Sequence, residues 1–185
     1  MNDTRPSHRR RFLRHAFRVA TAGAMPAAAT AAQAAVAGGR ALSLLHTHTH
    51  ERIEIEYAVD GLYLPAALSR LDRFLRDHYT GEIGVIDPQL FDLLHRVGQV
   101  LGCEPRFEVI SGYRCALTNA RLRESRGGGV ASHSLHMEGR AVDARLPGVP
   151  LAELRDAARS LRLGGVGYYP REQFVHLDTG RLRHW

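Results

Sequence analysis

The sequence predicts an α+β fold: a single domain with a central antiparallel sheet flanked by helices. Three observations lead there. The chain has 185 residues, enough for one well-filled core and too few for two large ones. Apolar residues recur at helical spacing in some segments and form short strand-like runs in others. The helical segments come as a block ahead of most of the strands. No internal repeat is visible.

Taken in order, Ala41–Leu45 and Arg52–Ala58 read as the strands of a hairpin joined by the His/Thr segment 46–50. From Pro65 to Tyr79, Leu68, Leu71, Phe74 and Leu75 keep helical spacing. Asp87 and Pro88 supply an N-cap and a first helical position for a helix through Leu101, with Gly102 just beyond it. Phe107–Ser111 reads as a strand, and Thr118–Ser125 as a short helix running into the loop Arg126–Ser132. Ala141–Ala144 is expected to be a strand, Leu151–Leu161 a helix, and Gly165–Tyr168 and Gln173–Leu177 two further strands.

Charge separates the chain into two parts. The formal net charge is +6, but residues 1–34 carry Arg5, Arg9, Arg10, Arg11, Arg14 and Arg18 against one acid, Asp3. The remainder, 35–185, is left near neutral, which gives no electrostatic case for nucleic acid. Arg9-Arg10-Arg11-Phe12-Leu13-Arg14 resembles a twin-arginine export pattern. An alanine-rich stretch to Ala34 and the small residues Ala32-Gln33-Ala34 follow in the order of a cleavable signal. The expectation is a signal peptide over 1–34, a periplasmic domain over 35–185, and no stable membrane insertion after cleavage, because the segment is poor in leucine and contains Pro26. In an oxidising compartment Cys103 and Cys115 could pair. The strand between them covers roughly 17–20 Å while bridged Cα atoms lie within about 7 Å, so both are read as small buried hydrophobes unless the flanks fold back.

Chemistry gathers in two places, Ser134-Leu135-His136-Met137-Glu138-Gly139-Arg140-Ala141-Val142-Asp143 and Phe174-Val175-His176-Leu177-Asp178. Two imidazoles and a carboxylate suit zinc and leave a position for water. The spacing fits a loop histidine, a turn at Gly139 and an aspartate on the returning strand, with His176 arriving from a later strand. Asp178 shares the strand face of His176 and is the candidate for accepting the water's proton. Spacing leaves open a surface Asp143 and two satisfied core histidines.

Ser134, His136, Gly139, Ala141 and Asp143 match Ser-x-His-x-x-Gly-x-Ala-x-Asp. That pattern resembles the signature of the zinc peptidase superfamily of D-alanyl-D-alanine carboxypeptidases, VanX-type dipeptidases and the Hedgehog domain. Ser111-Gly112-Tyr113-Arg114 is similar to its Ser-Gly-Tyr-Arg segment. The segment 164–170 and the final Arg183-His184-Trp185 look like the YcbK-like branch of murein endopeptidases. The resemblance implies a Hedgehog/D-Ala-D-Ala peptidase-like fold, zinc on His136, Asp143 and His176, and Arg114 facing the metal. It also implies peptidoglycan peptide stems as substrate. The protein is expected to be a monomer. Ser134 and Tyr113 are the candidates for contacting substrate. Many relatives carry a catalytic glutamate three residues before the last histidine; here Gln173 stands there, a trait shared with the YcbK-like branch, and Phe174 replaces a histidine of several relatives. Asp178, with Glu172 second by strand parity, is the expected substitute for the missing base. A zinc-bearing but inactive binding module is the alternative.

Four other features take bland readings. His46-Thr47-His48-Thr49-His50 alternates like a metal tract but lacks a carboxylate partner, and reads as a solvated turn. His133 lies outside the ligand pattern and at most touches substrate. Tyr168 and Tyr169 read as core or rim packing, and Arg126-Gly127-Gly128-Gly129 as a loop without a phosphate signature.

Overall fold

The computed structural model describes residues 38–102, 106–125 and 131–185. Cys103, the glycine run 126–129 and the leader 1–34 lie outside the described residues. The order is β1 (Arg40–His46), β2 (Arg52–Val59), β3 (Leu62–Tyr63), α1 (Pro65–Phe74), α2 (Pro88–Val100), β4 (Arg106–Ser111), α3 (Ala116–Ser125), a 3-10 turn (Leu135–Glu138), β5 (Ala141–Arg145), α4 (Leu151–Leu161), β6 (Gly165–Tyr169), β7 (Phe174–Asp178) and β8 (Arg183–His184).

The α+β expectation holds, with one correction. The eight strands form one sheet in the order β3-β2-β1-β4-β5-β7-β6-β8, and the β1/β4 and β6/β8 pairs are parallel. Strand β2 returns the chain to the end from which β1 began, and α1 and α2 then form the helical connection to β4, which runs parallel to β1. The two shortest strands, β3 and β8, are too short for any periodicity and were not legible in the sequence.

Alternation on β5 and β7 sorts core from site. Val142, Ala144, Val175 and Leu177 enter the main hydrophobic core, which α1, α2 and α4 cover. Their neighbours Asp143, His176 and Asp178 turn to the opposite face, as the two-residue repeat requires. Helix α2 starts as its sequence predicts: Asp87 accepts from Gln89 N–H, and Pro88 occupies the first turn.

Helix α1 stops at Phe74, short of the expected Tyr79. The next backbone groups serve other partners. Leu75 O accepts from Tyr113 N at 2.7 Å, and the Asp77 carboxylate accepts from Tyr79 N at 2.9 Å. An aspartate that bonds its own downstream backbone offers the chain an alternative to helix. The His46–His50 segment is also corrected: His46 ends β1 fully buried, packed edge-on against Phe74 and beside His78.

Candidate metal centre

One 3-10 turn and two strands bring His136, Asp143 and His176 together. Antiparallel register sets Asp143 directly opposite His176 across β5 and β7. His136 reaches them from the 3-10 turn, which Gly139 ends in the left-handed region at φ 66°. A side chain there would also strike the Val85 carbonyl, since a Cβ would sit 1.9 Å from that oxygen.

His176 Nδ1 lies 2.8 Å from Asp143 Oδ1 and 3.3 Å from His136 Nε2, and His136 Nε2 is 3.2 Å from the same oxygen. All three residues are buried and offer ligand atoms within 4.8 Å of one another. The opposite atom of each is already engaged. His136 Nδ1 donates to Gly112 O at 2.7 Å, His176 Nε2 donates to Asp178 Oδ2 at 3.0 Å, and Asp143 Oδ2 accepts from Arg114 Nη2 at 2.5 Å. These bonds select the tautomers that leave His136 Nε2 and His176 Nδ1 as lone pairs facing Asp143 Oδ1. Outer hydrogen bonds of this kind orient metal-binding histidines. Two imidazole nitrogens and one carboxylate oxygen are a fitting donor set for zinc with a position left open.

Electrostatics agrees with that assignment at His136 and Asp143 and opposes it at His176. Burial keeps the His136 ring below its ordinary range and therefore neutral, against the pull of Asp143. Burial works to raise the Asp143 carboxyl, but His136 and His176 outweigh it and hold the group well below the usual carboxylate range. Burial would lower His176, but its bonds to Asp143 and Asp178 raise it instead, so this ring is held toward its protonated form and must give up the Nδ1 proton to serve as a ligand.

Several of the expected site residues make contacts that the sequence did not show. Asp178 is fully buried, and its carboxylate accepts from His176 Nε2, from Arg183 Nη2 at 2.7 Å, and from the backbone N–H groups of Gly165 and Gly180 at 3.1 and 2.8 Å. It sits on the ring edge of His176 that faces away from Asp143, rather than standing free toward a water. Glu172 is exposed, and the parity assumed for it fails because Gln173 takes φ 60° and β7 begins only at Phe174. The Gln173 amide folds back to donate to the Pro170 carbonyl. Tyr113 donates its hydroxyl to Glu82 at 3.1 Å and does not line the cleft.

The cleft above the centre has a volume of about 310 Å³, and Arg114, His133 and Ser134 line it together with the aromatic wall of Tyr169, Phe174 and Trp185. Trp185 Nε1 donates to Tyr169 OH at 2.7 Å, and Tyr169 stacks on Phe174. The roles of Arg183 and Trp185 were missed. Only the pairing of β8 with β6 shows that the chain end returns to the site.

A family model described as peptidoglycan L,D-endopeptidase MepK matches residues 34–185. Among curated proteins, the peptidoglycan L,D-endopeptidase MepK of Escherichia coli (strain K12) is 46% identical over 146 residues, spanning 79% of this chain and 80% of its own. The probable peptidoglycan L,D-endopeptidase MepK of Haemophilus influenzae is 44% identical over 148 residues, spanning 79% of this chain and 78% of its own. No solved structure matches this chain.

Proposed function

This chain belongs to the family described as peptidoglycan L,D-endopeptidase MepK, and on that premise we propose that it is a zinc-dependent hydrolase cutting L,D-type peptide links of peptidoglycan. The observation that carries the zinc reading is the donor set: two histidines whose far nitrogens are both occupied, and an aspartate whose second oxygen is held by arginine. The overall arrangement is read as that of the Hedgehog/D-Ala-D-Ala peptidase class, and residues 1–34 as a twin-arginine signal that delivers a monomeric domain to the periplasm.

Zinc bound there would supply Lewis acidity toward the scissile carbonyl and an activated water. The protein's own residues do the rest. Gly112 O and Asp178 fix the two rings, and Arg114 fixes Asp143. With Nε on Ser111 Oγ and Nη2 on Asp143, Arg114 keeps Nη1 for a developing oxyanion or a stem carboxylate. Ser134 borders the cleft and would meet substrate. Phe174 and Trp185 offer an apolar wall to the aliphatic part of a stem peptide. Among the described lining residues, His133 and Tyr169 are the acid–base side chains outside the three ligands, and His133 is the reading for proton exchange with the leaving amine.

A second reading, a zinc-bearing but inactive peptidoglycan-binding module, has one observation behind it: Asp143 is the sole carboxylate among the described residues lining the cleft. Incubating zinc-loaded protein with cross-linked muropeptides, and identifying products by mass, decides between them. Cleavage of L,D links that stops on chelation is expected. Retention of every muropeptide intact, with zinc bound, would establish the inactive module.

A further inference from the structure

Asp77 lies outside the cleft and outside every motif of the sequence, yet it is 1% exposed. Its Oδ2 accepts from Cys115 N at 3.0 Å, while Oδ1 accepts from Tyr79 N at 2.9 Å. Two residues earlier, Leu75 O accepts from Tyr113 N at 2.7 Å. Gly112 packs so closely on this segment that a Cβ would stand 2.5 Å from Leu75 O.

The segment Gly112–Cys115 therefore has two sides. The N–H groups of Tyr113 and Cys115 point back to Leu75 and Asp77. The Gly112 carbonyl and the Arg114 N–H point the other way, toward His136. Gly112 O accepts from His136 Nδ1, Arg114 N donates to His136 O at 3.2 Å, and Arg114 Nη2 holds Asp143. One segment thus sets the tautomer of one ligand and the carboxylate orientation of another, and its back is held by Leu75 and Asp77. Burial alone would raise the Asp77 carboxyl, but hydrogen bonds from Thr118, Cys115 and Tyr79 outweigh it and keep the group ionised. An anion accepts such bonds more strongly than a neutral oxygen.

We propose that Asp77 is a positioning residue for the metal centre, acting through the backbone of Cys115 on Gly112 and Arg114, and through them on His136 and Asp143. The inference rests on the zinc reading above. It also explains why α1 ends at Phe74: a helix continued through Tyr79 would remove both anchors from the segment.

The test uses the full chain, with Asp77→Ala, Asp77→Asn and, as a control, Asp92→Asn. Asp92 accepts from Arg40, Tyr57 and Tyr63, a carboxylate cluster that touches neither His136 nor Asp143. Zinc affinity is measured by chelator competition, and the His136 tautomer by imidazole ¹⁵N shifts on metal-free protein. Asp77→Ala is expected to weaken zinc binding about 10-fold or more and to mix the His136 tautomers. Asp77→Asn keeps one acceptor oxygen and should fall between. Asp92→Asn should lower the melting temperature and leave zinc affinity unchanged. Should Asp77→Ala not fold, Asp77→Asn decides. Folded Asp77 variants with wild-type zinc affinity and a single wild-type tautomer would overturn the proposal. If the wild-type chain bound no zinc, the functional reading would fail while the tautomer measurement still judged Asp77.

Discussion

Asp178 and the metal ligands answer to different measurements at the scale of single residues. The Asp178 carboxylate carries His176 Nε2 and Arg183, so Asp178→Asn weakens the group that selects the His176 tautomer. The expected result is a 10- to 100-fold loss of zinc affinity, roughly, with turnover largely restored at saturating zinc. A general base behaves oppositely: zinc affinity stays, and the rate falls by about 10²–10⁴ even when the site is full. Zinc titration and kcat on one preparation separate the two, and an unchanged affinity with a collapsed kcat would return Asp178 to the role its strand parity first suggested. His176→Ala removes a ligand outright and should leave well under one zinc per chain by metal analysis of dialysed protein.

Turns, rather than strands, carry the tightest constraint at the scale of elements. The 3-10 turn that presents His136 closes at Gly139 in the left-handed region, pressed against the Val85 carbonyl. Gly139→Ala combines a conformational cost of about 1–2 kcal/mol with a clash that only backbone movement relieves. The expected outcome is destabilisation of at least that size in urea unfolding, accompanied by weaker zinc binding because His136 shifts with the turn. A variant with wild-type stability would show that the turn tolerates a side chain there. The same scale explains the misjudged Glu172. Parity holds only within a continuous strand, and the turn Pro170–Gln173, ending at positive φ, breaks it.

Acid stability and export concern the whole molecule. Burial pushes His46 down to about 4, with His78, His48 and Arg76 adding to it and Glu51 opposing. The folded value lies below the unfolded one, so the unfolded chain binds the extra proton. The contribution is therefore complete above about pH 6.5 and is lost as pH falls through 4, amounting to roughly 3 kcal/mol at most. Unfolding free energies from pH 7 to 4 should decline along that course, and His46→Gln should flatten the decline; an unchanged slope in that variant would place the acid sensitivity elsewhere. For export, replacing Arg9, Arg10 and Arg11 by Lys should retain the precursor at full length in the cytoplasm. Normal periplasmic recovery of that variant would refute a twin-arginine signal.

Fold class, most element positions and the three candidate ligands were legible in the sequence, because each depends on local pattern: apolar periodicity, an Asp-Pro helix start, and a five-position motif around His136. What the neighbours of those ligands do was not legible. Asp178 looks like a free base on a strand, and Arg114 like a free cation beside a metal. Only the packed sheet shows that Arg183 from the far end of the chain occupies the first, and that Asp143 engages the second. The helix end at Phe74 was hidden for the same reason, since it is set by backbone groups of a segment some forty residues later. Residue type and spacing determine which groups can bind a metal. Which of their atoms face it is decided by hydrogen bonds between segments distant in sequence, which exist only once the tertiary structure has formed.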